Sequence, residues 1–108
     1  MAHMPTYVQP PLPEGVDVAI EAFGNRVRIA ILAHLVTIQE GQTSGEIADA
    51  LGLTLRPVQR HLWAMEELGL VVVDQPDGDR RGKRPRYSIN SGRIRDLYKD
   101  LGRHLRVE

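Results

Sequence analysis

Residues 43–69 read TSGEIADALGLTLRPVQRHLWAMEELG, and the fold turns on this stretch. Thr43 followed three residues later by Glu46 is the spacing of a capping box, in which hydroxyl and carboxylate satisfy each other's orphan amide donors. Ile47, Ala48 and Leu51 then share one side of a short helix that stops at Gly52. Thr54 is placed to cap a second helix, whose apolar residues Leu55, Val58, Leu62, Met65 and Leu68 recur at steps of three and four until Gly69. Pro57 falls in the first turn of that helix, where a missing N–H matters little. A short helix, a turn built on glycine and a longer capped helix predict a helix-turn-helix.

Upstream, Ile20, Phe23, Val27, Ile31 and Leu35 keep a helical period and predict one long helix over Val16 to Ile38, with Gly41 as its stop. Pro5, Pro10, Pro11 and Pro13 predict an extended arm over residues 5–15, and Met1-Ala2-His3-Met4 reads as a cloning remnant. Residues 1–15 are therefore set apart from a domain spanning 16–108. Downstream, Val71-Val72-Val73 within Leu70 to Asp74, and Tyr87 and Ile89 within Arg86 to Ile89, predict two strands. The turn formers between them make a hairpin with a long tip. Asn90 or Ser91 then caps a last helix in which Ile94, Leu97, Tyr98, Leu101 and Leu105 share a face. The expected architecture is mainly α with a small β-hairpin, a winged helix-turn-helix.

Composition narrows the function. The 108 residues suffice for one domain, and a 42% apolar fraction supplies a core without staples. No cysteine is present, which excludes disulfides, thiolate metal sites and a cysteine nucleophile. No apolar run approaches a membrane span, and no signal peptide is recognisable, so a cytoplasmic protein is expected. The formal net charge is zero, but it is unevenly spread. Met1 to Leu53 holds 2 basic against 6 acidic residues and Thr54 to Glu108 holds 12 against 8, a swing from −4 to +4. Such asymmetry is a signal of a partner.

The residue types on the second helix suit duplex DNA. With the apolar stripe facing inward, Arg56, Gln59 and Arg60 project from the N-terminal half, the end that enters a major groove. Arg forks onto guanine and Gln onto adenine, while Thr54 at the helix start suits a phosphate oxygen. The hairpin tip adds Arg80, Arg81, Lys83, Arg84 and Arg86, five cations in seven residues with no acid among them. Alone such a run is a solvated loop, but next to a helix-turn-helix it becomes a wing that lies on phosphates or in a minor groove. Asp77 and Asp79 read as turn residues. A three-helix core with a solvated polar face is the competing reading, and the basic hairpin weighs against it.

From Phe23 to Ile89 the chain resembles the ArsR-type winged helix-turn-helix repressors. The resemblance rests on Asn25-Arg-Val-Arg-Ile-Ala-Ile-Leu, on Gly45-Glu-Ile-Ala-Asp-Ala-Leu-Gly-Leu-Thr, and on Val58-Gln-Arg-His-Leu followed by Leu68-Gly-Leu-Val. MarR-like and other winged families share the scaffold. The resemblance implies a homodimeric transcriptional repressor whose DNA contacts fall on Thr54, Leu55, Arg56, Gln59, Arg60 and His61. Leu55 and Pro57 depart from the small polar residues usual there. Many members sense metals through a cysteine segment, whose position holds Gln42-Thr43-Ser44 here. Asp100, His104 and Glu108 match a second family metal site, but interleaved with Lys99, Arg103 and Arg106 they read as a charged exposed face. No metal, cofactor or small-molecule effector is expected.

The remaining features are structural. His34 reads as a packed or partly exposed histidine and Glu66-Glu67 as a solvated pair. No Ser/His/Asp group, phosphate loop or catalytic carboxylate pair is present, so no enzyme is expected. The outer helices carry more apolar residues than one small core needs, which predicts a homodimer, with Tyr98 as an interface anchor and Trp63 in the core or at the interface. Two other readings remain: a winged-helix module that docks a protein, and a phage or plasmid replication or recombination accessory factor on DNA.

Overall fold

The computed structural model describes residues 10–75 and 84–107. Its elements run α1 (Glu14–Phe23), α2 (Arg26–Leu35), β1 (Gln42–Thr43), α3 (Ser44–Leu51), α4 (Leu55–Glu67), β2 (Val71–Val73), β3 (Arg86–Ile89) and α5 (Ser91–His104). The fold is mostly helical with a small antiparallel sheet, as expected.

Several expectations need correction. The single helix over Val16 to Ile38 is two helices. Gly24 closes α1 by donating its N–H to the Ile20 carbonyl (2.8 Å), and the Asn25 side chain accepts from the N–H groups of Val27 (2.9 Å) and Arg28 (3.1 Å) to start α2. The apolar period runs through the break because both helices face the same core, which hid the cap. The first helix also begins earlier than expected, with Pro13 at its N-cap, so Glu14 and Gly15 belong to α1 rather than to an extended arm.

The second correction concerns the sheet. Among the described residues it has three strands in the order β1-β3-β2, not two. Val71, Val72 and Val73 pair with Ile89, Ser88 and Tyr87, and on the other edge of β3 Gln42 and Thr43 pair with Tyr87 and Arg86. Gly41 makes this possible. Its φ is +80°, and a Cβ there would lie 2.7 Å from the Ser88 hydroxyl and 3.0 Å from the Tyr87 carbonyl oxygen. Only glycine lets the chain turn so close to β3. A two-residue strand has no period to read, so β1 left no pattern in the sequence.

Ile31, Leu35, Ile47, Val58, Leu62, Met65, Leu70 and Leu97 are fully enclosed and form the centre of the core. Each contributes roughly 1.5–3 kcal/mol of burial. Val16, Ala19 and Ala22 line the inner side of α1, which packs along α5, with Gly15 against the Asp100 carboxylate. Asn90 joins the far end. Its side-chain oxygen caps α5 through Arg93 N–H, and its side-chain amide donates to the Gly69 carbonyl (3.0 Å) just beyond α4. Trp63, placed in the core or at an interface by expectation, is not in the core: it is 53% exposed.

One side chain ties three helices together. Arg28, only 14% exposed, donates from Nη1 to the Glu21 carbonyl of α1 (3.0 Å) and faces the Glu21 carboxylate at 3.7 Å. Its Nε donates to Nδ1 of His61 on α4 (3.2 Å). Burial, then the nearby charges of Arg28 and Arg60, hold the His61 pKa below its usual 6.5.

Two outcomes are expected. Replacing Asn25 with Ala should cost about 1 kcal/mol in urea unfolding by uncapping α2. Because His61 binds its proton less readily in the folded chain, the unfolded chain protonates first as pH falls. The stability this group supports is complete above pH 6.5 and is lost towards the lower folded pKa. His61→Asn keeps an acceptor for Arg28 without a titrating group, so unfolding compared at about pH 7.5 and about pH 5.5 should show a smaller acid loss than wild type.

Candidate nucleic-acid interface

The interface is built from the start of α3 onward. Thr43 Oγ1 accepts from Glu46 N–H (3.2 Å), and Glu46 Oε1 accepts from Thr43 N–H (2.9 Å), completing the expected capping box. Gly52 adopts a left-handed conformation (φ 67°) and ends α3, as its place in the sequence predicts. The chain reverses within Leu53 and Thr54 and enters α4. Thr54 stands at the N-cap but makes no side-chain capping bond, and it is exposed.

Along α4 the division of faces follows the expected stripe. Val58, Leu62 and Met65 are buried. Arg56 and Arg60 are exposed and Gln59 half-exposed on the side away from the core. Leu55, expected in the stripe, is 44% exposed at the helix tip. The exposed face continues past Arg60 to Trp63. At its other end a cleft separates α4 from the base of the wing, lined by Ser44, Leu55, Gln59 and Arg84 among others. Arg84 is exposed, so a cation stands across this cleft from the Gln59 amide.

His61 occupies a different position from its neighbours. It is half-buried, and because Arg28 Nε–H points at Nδ1, that nitrogen must be the acceptor. The neutral ring therefore carries its hydrogen on Nε2. Protonation at Nδ1 would set two N–H groups against each other, in keeping with the lowered pKa.

Arg86 is likewise drawn into the fold. Its Nη2 donates to the Gly41 carbonyl (3.0 Å) and lies 3.5 Å from Glu46 Oε1, while its backbone N–H donates to Asp74 Oδ1 (3.0 Å). Glu46 is correspondingly held below the usual carboxylate range, first by the Thr43 backbone N–H and then by the charges of Arg86 and Arg84. Thr54, Arg56, Gln59 and Arg60 thus stand together on one surface with Arg84 beside them. His61 and Arg86 sit at its edges with hydrogen bonds into the scaffold. Arg80, Arg81 and Lys83 lie outside the described residues.

Two contributing residues escaped sequence reading. Arg28 sits in an apolar helix, and nothing in its spacing announces a partner 33 residues away. Glu46 was legible as half of a capping box but not as the acid facing Arg86. His34 packs as expected, with Nε2 2.6 Å from Gln42 Oε1, fastening α2 to β1. On α5, Asp100 pairs with Arg103, and Glu108 lies outside the described residues. Among the described residues no group of three His, Asp or Glu is placed to hold a metal ion. No helix among them is long and apolar enough to cross a membrane.

The family model described as a helix-turn-helix domain matches residues 23–74. A search of curated proteins finds no significant match to the sequence. Among solved structures, the chain is similar to the ArsR family transcriptional regulator RHA00566 (17% identity, 86% of this chain and 94% of that one, TM-score 0.66). It is also similar to the ST1889 protein of the thermoacidophilic archaeon Sulfolobus tokodaii (28% identity, 83% and 86%, TM-score 0.61). A third similar structure is MepR of S. aureus, solved as a DNA complex (22% identity, 86% and 77%, TM-score 0.56). The helix-turn-helix between Thr43 and Glu67, the strands that flank it and the enclosing outer helices agree with these likenesses: the chain carries a helix-turn-helix domain over residues 23–74, and its fold is similar to that of an ArsR family transcriptional regulator.

Proposed function

We propose that the protein is a homodimeric, sequence-specific DNA-binding transcriptional regulator that represses by occupying a promoter, working in the cytoplasm. One observation carries this reading: the outward side of α4 presents Arg56, Gln59 and Arg60 in continuity with Arg84 at the base of the wing. Arg and Gln are the side chains that fork onto guanine and adenine edges. The helix is anchored along its opposite side, so these groups are offered on a rigid element. The wing over residues 75–86 supplies charge for phosphates or a minor groove. The fold's likeness to MepR, solved as a DNA complex, supports the same conclusion.

The dimer rests on a second surface. Ile20 of α1 (52% exposed), Val36 just past α2 (59%) and Tyr98 and Leu105 of α5 (69% and 61%) are apolar side chains left in water. A groove beside them is lined by Phe23, Ile29, Ile94 and Tyr98. A single module reads only a few base pairs, and a second copy on this face would supply a second reading helix, as recognition of half-sites about 34 Å apart, one helical turn, requires. No effector enters the proposal.

Selection from a randomised duplex pool, read by fluorescence anisotropy, tests the reading. Enrichment of a palindrome with half-sites one turn apart is expected. Failure to bind any duplex at low salt, with a folded protein that co-purifies with one polypeptide, would instead favour a protein-docking module. Glutamate at Arg81 and Arg84 should weaken binding to every duplex and flatten the salt slope by about two units, at roughly 0.9 per cation lost. Arg56→Ala should relax sequence choice by about 1–3 kcal/mol at the base it reads. Tyr98→Glu should shift the mass measured by light scattering from dimer to monomer.

A further inference from the structure

We propose that Trp63 is part of the DNA-contacting surface, where its indole lies against the sugar-phosphate backbone at the rim of the major groove. The inference rests on the reading of α4 as the groove-entering helix and extends it to a residue whose size and apolarity point first to a core. Two geometric facts carry it. Trp63 follows Arg56 by seven residues, and that step returns a helical side chain to the same face within about 20°. Trp63 is accordingly exposed in line with Arg56 and Arg60, on the side opposite the buried Val58, Leu62 and Met65.

The second fact is distance along the axis. Seven residues at about 1.5 Å each set Trp63 about 10 Å behind Arg56. With the N-terminal end of α4 deepest in the groove, that offset carries Trp63 away from the base edges that Arg56 reaches and towards the flanking phosphates and deoxyriboses. The chemistry of the indole fits that place. Its face is apolar and covers a deoxyribose, and its one N–H donates to a phosphate oxygen. Such a contact holds the helix at a fixed depth without reading sequence. Being uncharged, it releases no counterions.

The chain has a single tryptophan, so its emission reports on this residue alone. The probes are the duplex enriched from the pool and a random-sequence duplex. On titration with either, the wild-type emission should change in step with anisotropy. Trp63→Ala, at an exposed helix position that favours alanine, should keep the circular-dichroism spectrum and weaken both duplexes by the same factor, about tenfold. The salt slope should stay as in wild type, in contrast to Arg84→Ala, which should flatten it. Trp63→Phe keeps the apolar face and loses the donor, and should fall between the two.

Unchanged emission with wild-type affinity in Trp63→Ala, while Arg60→Ala binds weakly, would place Trp63 off the DNA and overturn the inference while leaving the reading of α4 intact. Loss of affinity for the enriched duplex alone would make Trp63 a base reader and overturn the backbone role. If the wild-type chain binds neither duplex, the reading of α4 fails first and the inference falls with it.

Discussion

Everything in this molecule depends on α4 having two incompatible sides. Val58, Leu62 and Met65 are completely enclosed among Ile31, Leu35, Ile47 and Leu97, and a helix anchored by three such side chains has little freedom to rotate about its axis. The opposite side is consequently fixed in direction without any contact of its own. Arg56 and Arg60 need no hydrogen bonds to the protein to be aimed outward, because the core aims them. The cost of moving those charges inward is far larger than any gain from repacking, so the two faces enforce each other.

The cations of the chain divide by their surroundings rather than by their type. Arg28 and Arg86 are partly buried, pair with neighbouring carboxylates and donate to backbone carbonyls. Arg56, Arg60 and Arg84 stand in water. A net charge of zero conceals this division, since structural arginines and acids cancel in the total while the outward ones remain available. Exposed ion pairs such as Asp100 with Arg103 add little to stability. The partly buried ties of Arg28 matter more, because they join α1, α2 and α4 at one point.

The legibility of the sequence follows the range of the forces involved. Features set within one turn of helix were readable: the capping box at Thr43 and Glu46, the left-handed Gly52, the Asn90 cap and the period of α4 all rest on neighbours three or four residues away. The strands β2 and β3 were readable for the same reason. Long-range features were not. Arg28 meets His61 across 33 residues, and β1 exists only because Gly41 lets two residues lie against β3. The Gly24-Asn25 break was written in the sequence but masked by an apolar period that continued through it. Trp63 shows the converse, for its size left core and interface both open when its place on α4 had already assigned it to the outside. At the candidate site, the position of Arg56, Gln59 and Arg60 came from periodicity alone, whereas the tautomer of His61 required its partner.

The pairing of β1 with β3 gives the wing a fulcrum. β3 is hydrogen-bonded on one edge to the residues that cap α3, and Arg86 clasps both Gly41 and Glu46 across the same seam. Any tilt of the hairpin therefore levers the N-terminus of α3, and through the Gly52 turn it bears on α4. The described base of the hairpin and α4 thus share a pivot at this seam. Substitutions at Arg86 and on α4 are then not independent, and a double-mutant cycle across them would carry a coupling with no direct contact between the mutated side chains.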